Sequence, residues 1–205
     1  MHSPNSFSAP FAAFYENPKA ARRAAEHVKL SRSLAAEIAS RTHIVPLGPD
    51  PLVQHLISSK GFAPDDVVVS RVTMERRYIT VLCVPTRVWR NPDERQLLLE
   101  LKCEAALMGT KVVLVPQRWV RAEIRSGIAR AIASARRNPI GREDLGTVLA
   151  RVRAAKMATL AECVEALGDG HPNAIGTVLS MCAQGYLAID RNKRLGPGTW
   201  VASGT

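Results

Sequence analysis

The chain has 205 residues, 46% of them apolar, which is enough for a sizeable core and excludes a globally disordered polymer. Its formal charge is +10, carried mainly by arginine, which points to a polyanionic partner: nucleic acid first, an anionic membrane surface second. The four cysteines, Cys83, Cys103, Cys163 and Cys182, form no CxxC pair and match no zinc spacing, so they read as reduced thiols. No run is apolar and long enough for a signal peptide or a membrane helix, so a cytoplasmic protein without membrane contact, cofactor or metal is expected.

Residues 1–17 mix Ser, Pro and aromatics without period and read as a flexible tail, with Phe11 or Phe14 available to pin it to the domain. Asn17-Pro18 opens a helix expected to reach Ser40. Its apolar positions (Ala21, Ala24, Ala25, Val28, Leu34, Ala35 and Ile38) fall near helical spacing, and Arg22, Arg23, Lys29 and Arg32 decorate the other faces. Thr42–Leu47 reads as a short strand. Asp50 caps a helix over 51–59, and Lys60-Gly61 ends it. Val67–Val72 and Tyr78–Val84 are β-branched runs joined by TMERR, an antiparallel hairpin. Asn91-Pro92-Asp93-Glu94 opens a helix with Leu97, Leu98, Leu101, Ala105 and Met108 on one stripe, and Gly109 ends it. Lys111–Pro116 is a buried strand. One long helix then runs from Gln117 or Arg118 to Arg137, with Val120, Ile124, Ile128 and Ile132 on one face.

Asn138-Pro139-Ile140-Gly141 stops that helix and sets a domain boundary: residues 18–140 on one side, 141–205 on the other. Beyond it come a helix over Leu145–Ala155, a second capped by Thr159 with Glu162 completing a capping box, and a third from His171-Pro172 to Gln184. Tyr186–Asp190 and Thr199–Ala202 return as strands. Three helices and a terminal hairpin make a winged helix-turn-helix pattern.

In the first unit the order helix, three-stranded meander, helix, strand matches the restriction-endonuclease-like α/β core, built on a mixed sheet. The basic strand end, the NPDE-opened helix, the glycine and VVLVP followed by RWVR resemble the second half of the catalytic domain of TnsA-type transposon endonucleases, over roughly residues 60–205. Those proteins also carry a C-terminal winged-helix-like domain. The resemblance implies an Asp near one strand and an E-x-K on the next, which hold a divalent metal and polarise the attacking water. The E-x-K should fall near the end of Tyr78–Val84, where the residues are Leu82-Cys83-Val84. Asp65 or Asp66 can stand for the preceding acid, and Glu26 or Glu37 for a first-helix Glu; turn and surface charges are the plainer readings of all of these. A literal Glu100-Leu101-Lys102 follows Pro92-Asp93, but on the predicted helix its two charges lie about 200° apart and do not converge. The five histidines form no metal pair, and no nucleophile elbow or phosphate-binding glycine loop occurs. No catalytic residue is assigned.

The expected nucleic-acid surface is basic. Arg71, Arg76, Arg77, Arg87 and Arg90 gather at the hairpin tip and strand exit; Arg118, Arg121 and Arg125 follow, with Trp89 and Trp119 among them. In the second unit Asn173 and Thr177 lie on the third helix, and Arg191, Lys193 and Arg194 on the wing. The third helix has no Arg or Lys for guanine readout. The expectation is a non-catalytic DNA-binding protein, of a mobile element or recombination system. The alternatives are a metal-dependent DNA endonuclease with relocated ligands and an adaptor that docks a protein partner through the winged helix.

Overall fold

The computed structural model describes residues 18–204. The tail expected over residues 1–17, with Phe11, Phe14 and the Asn17 cap, lies outside them.

Helix α1 (Pro18–Ala39) leads into strand β1 (Ile44–Gly48) and helix α2 (Pro51–Ser59). Asp50 caps α2 by accepting from the Leu52 and Val53 N–H groups. Its other oxygen accepts from the Thr80 hydroxyl at 2.6 Å, tying α2 to the sheet. Strands β2 (Val68–Met74) and β3 (Arg77–Val84) form the predicted hairpin. Its tip is only two residues, Glu75 (φ 51°) and Arg76 (φ 64°), both in the left-handed region that primed hairpin turns require.

A single-turn helix, α3 (Thr86–Arg90), follows β3; the sequence carries no signal for it beyond Val88, which is fully buried. Asn91 then caps α4 (Pro92–Leu107), accepting from the Asp93 and Glu94 N–H groups. Strand β4 (Val112–Pro116) pairs parallel with β3, giving a mixed sheet in the order β1-β2-β3-β4.

Alternation along the strands sends side chains into two layers. Leu82, Val84 and Val112 pack with α2 and α4 residues such as Val53, Leu98 and Leu101. Val68, Val72, Ile79 and Cys83 pack with Leu30, Leu34 and Ile38 of α1. The chain is therefore a mixed α/β protein with helices covering both sheet faces.

The long helix expected after β4 is two helices, α5 (Gln117–Val120) and α6 (Glu123–Ala135), with Ala122 extended between them (φ −52°, ψ 119°). The apolar positions explain the break, because they serve different cores. Val120 enters the layer under α1, whereas Ile128 and Ile132 enter a third cluster with the C-terminal residues. Ile124, midway between, stays 37% exposed.

That third cluster is built by α6, α7 (Arg142–Ala155), α8 (Leu160–Ala166), α9 (Ala174–Ala183) and a small sheet of β5 (Met157–Thr159), β7 (Trp200–Ser203) and β6 (Leu187–Ile189), in that order. Strand β5 adds to the two strands expected there. The expected Thr159–Glu162 capping box is present at α8. Helix α9 differs most from expectation: every residue from Gly176 to Ala183 is buried. It is a central helix of this cluster, packed against α6.

Candidate nucleic-acid interface

Two strand ends and three helices, α1, α3 and α5, place a polar cluster at the exit of β3 and β4. Arg87, on α3, donates to Asp66 Oδ1 at 2.7 Å and to the Asp65 carbonyl at 3.3 Å. Its Nε lies 3.9 Å from Glu26 Oε2 on α1 and makes no hydrogen bond. Gln117, which opens α5 and is almost fully buried, bridges the remaining groups. Its Oε1 accepts from the Thr86 N–H at 2.8 Å, and its Nε2 donates to Glu26 Oε1 at 3.0 Å. The second Asp66 oxygen accepts from the Ala63 N–H at 2.8 Å.

Of the two first-helix acids considered, Glu26 reaches this cluster. Glu37 lies at the other end of α1, where it accepts from Arg41 at 2.6 Å. The β3 side chain on the α1 face at this end is Cys83, fully buried; Leu82 and Val84 turn to the opposite layer. Burial pushes the Cys83 thiol up to about 12, so it stays neutral near pH 7. Glu100 and Lys102 lie on α4, with Glu100 occupied by Gln96 and Lys60. Among the described residues, no three His, Cys, Asp or Glu side chains converge as a metal site would require.

The predicted basic residues divide into three kinds. Arg76, Arg77, Arg90, Arg118 and Arg121 are exposed, as is Lys193. Arg71 and Arg125 are committed to rings: Arg71 sits 4.8 Å over Tyr78, with Asp50 at 3.9 Å, and Arg125 sits 4.3 Å over Trp119. Arg41 covers the same indole at 5.8 Å, so Trp119 offers less free ring than a base-stacking platform needs. Trp89 packs partly buried against the core beside α4.

The remaining expected binding residues turn inward or into pairs. Asn173 is the N-cap of α9, accepting from the Gly176 N–H at 3.1 Å. Thr177 is 4% exposed and cannot reach a groove, because the face of α9 expected to read DNA is covered by the rest of the cluster. Arg191 donates to the Ser40 hydroxyl and carbonyl at 2.9 and 2.7 Å, with Glu37 at 3.5 Å. Burial lowers its pKa and Glu37 opposes that shift. Arg194 pairs with Glu123 at 3.0 Å, both largely exposed.

The buried bridging role of Gln117 has no signature in the sequence. Lys29 and Arg32, which in sequence are only decoration on the first helix, acquire partners in space. With Arg121 and Arg130 they line a groove of about 380 Å³ between α1 and the α5–α6 corner. A separate groove of about 410 Å³, mostly apolar, is lined by Leu160, Val164, Ile175, Leu195 and Pro197. No helix among the described residues is long and apolar enough to cross a membrane.

No protein-family model matches the chain, and no curated protein matches it either.

Proposed function

We propose that the chain is a DNA-binding protein whose restriction-endonuclease-like core holds nucleic acid without cutting it, with a winged-helix unit attached. The observation that carries this reading is Arg87. Its guanidinium pairs with Asp66 and sits beside Glu26, the two acids a metal would need, while Gln117 and the Ala63 N–H occupy further carboxylate oxygens. A divalent ion requires such oxygens free to coordinate it. On the strand, Cys83 stands where a coordinating acid would face them. The net charge of +10 and the exposed arginines around the cluster support a polyanionic partner. The likeness to TnsA-type endonucleases sets the context as a mobile-element or recombination system.

The test is a gel shift and a cleavage assay in Mg²⁺ and Mn²⁺ on duplex and single-stranded DNA. Salt-sensitive binding with the DNA left intact is the expected result. Cleavage that disappears in Asp66→Asn and Glu26→Gln establishes the endonuclease reading instead.

The apolar groove around Ile175, which is 54% exposed, favours a second reading, an adaptor that docks a protein partner through the C-terminal unit. Failure to bind any nucleic acid at low salt leaves that reading standing.

A further inference from the structure

The groove lined by Lys29, Arg32, Arg121 and Arg130 is unusual in its charge. None of the four cations has a carboxylate within ion-pair distance among the described residues. The acid in its walls, Glu123, is paired with Arg194. Other cations are matched, Arg41 and Arg191 by Glu37, Arg87 by Asp66 and Lys60 by Glu104, while Arg76, Arg77, Arg90 and Arg118 are exposed without an ion pair among the described residues. What distinguishes Lys29, Arg32, Arg121 and Arg130 is that the four share one groove. Four cations around one groove outnumber its single carboxylate, Glu123, so they repel one another, and an anion seated there relieves the repulsion.

The walls also have a direction. Glu26 and Gln117 are bonded at 3.0 Å across the two elements that form them. Lys29 and Arg32 follow Glu26 along α1, and Arg121 follows Gln117 at the end of α5. Both walls therefore leave the Arg87 cluster side by side. Arg22, Lys29 and Arg32 fall within about 80° of one another around the α1 axis, extending the basic line beyond the groove.

We infer that this groove is the track on which the phosphodiester chain of DNA lies as it approaches the Arg87 cluster. The inference rests on the DNA-binding reading above. Guanidinium forks match phosphate oxygens, and an ammonium adds a point charge. Ser33 and Ser126 also line the walls, but their hydroxyls donate to the Lys29 and Glu123 carbonyls at 3.0 and 3.3 Å, which leaves phosphate contact to the four cations. The residues that line the groove are all charged or polar, although carbon atoms form much of its surface.

The test is binding of the full-length chain to a short mixed-sequence DNA duplex, followed by anisotropy between about 50 and about 200 mM salt. Lys29→Gln/Arg121→Gln is expected to weaken binding at least about tenfold at the low-salt end. It should also reduce the slope of log K against log salt by about two, near 0.9 for each phosphate that is no longer neutralised. Arg153→Gln/Lys156→Gln, on the far unit, should keep the wild-type slope, and Lys29→Arg/Arg121→Lys should restore it. If the double variant loses its circular dichroism, Arg32→Gln alone provides the test, with a slope reduced by about one. A wild-type slope in a folded groove variant overturns the groove and leaves the DNA-binding reading intact. No wild-type binding to duplex overturns the groove assignment; no binding to single-stranded DNA either overturns the DNA-binding reading as well, as does binding only to vesicles of anionic lipid.

Discussion

Arg87 joins three segments that are distant in sequence: the turn at Asp65-Asp66, helix α1 through Glu26, and its own turn of α3. Its side chain is 29% exposed and that of Asp66 only 14%, so removing the cation leaves a poorly hydrated carboxylate without its charge partner. Arg87→Ala should lower stability by about 1–3 kcal/mol, read as a shift in the urea midpoint at constant slope. Arg87→Lys should recover only part of that stability, because an ammonium lacks the planar fork. The thiols give a second residue-scale expectation. Cys103 is exposed, while Cys83, Cys163 and Cys182 are buried. Burial pushes Cys83 and Cys182 up to about 12 from an ordinary value of 9.0. A thiol reagent near pH 8 should therefore titrate one cysteine in the native protein and four after denaturation. Both folded pKa values are raised for a group that is neutral when protonated. The linked stability is accordingly complete below about pH 9 and is lost as pH climbs from there toward 12. A native-state denaturation series across that interval checks the sign.

Helix α9 shows how an element can look functional in sequence and be structural in the fold. Its polar residues are Asn173, Thr177, Ser180 and Gln184, which suit base edges on paper. In place, Asn173 caps the helix, Ser180 donates to the Asn138 carbonyl at 2.8 Å, and Thr177 is buried. Asn173→Ala should cost about 1 kcal/mol of stability, and Asn173→Asp should keep the cap; neither should change affinity for DNA beyond the effect on folding. Thr159→Ala at the α8 capping box should cost a similar amount, about 1 kcal/mol, measured by the same denaturation curve. Elements whose signal was local were legible in the chain. The Asn91 and Thr159 caps, the β2–β3 hairpin and the strand VVLVP sit where their turn residues and β-branched runs put them. What was not legible depended on tertiary partners. The α5–α6 break has no Gly or Pro to announce it, since it arises only because Val120 and Ile128 enter different cores. The covering of α9 by α6 is equally invisible, because Ile128 and Ile132 read as a helix face whatever they pack against. Glu26 and Asp66 were visible as possible acids. Their shared partner Arg87 read only as a surface cation, because the α3 turn that aims it inward is set by the burial of Val88.

At the scale of the molecule, the boundary expected at residues 138–141 falls in a turn but not in a gap in packing. Helix α6 precedes it, yet Ile128, Ile132 and Ala135 are among the buried residues of the C-terminal cluster, and α6 also packs on α1. Arg191 adds a second tie, reaching from the β6–β7 loop to Ser40 at the end of α1 and to the buried Glu37. Arg191→Ala should cost about 1–3 kcal/mol, at the low end for a buried ion pair because Arg41 still holds Glu37 at 2.6 Å. The same packing bears on cooperativity. A chain ending at residue 140 would expose Ile128 and Ile132, each worth about 1.5–3 kcal/mol of burial, and would leave an apolar stripe open to association. Such a truncation should self-associate in sedimentation, whereas the full chain unfolds as one unit. The tryptophans allow a direct reading, since Trp89 and Trp119 report on the sheet unit and Trp200 on β7. In a Trp89→Phe/Trp119→Phe variant, the fluorescence of Trp200 should change at the same denaturant concentration as far-UV circular dichroism does for the whole protein. Separate midpoints would mean that the two units fold independently and that α6 is a tether rather than a shared wall.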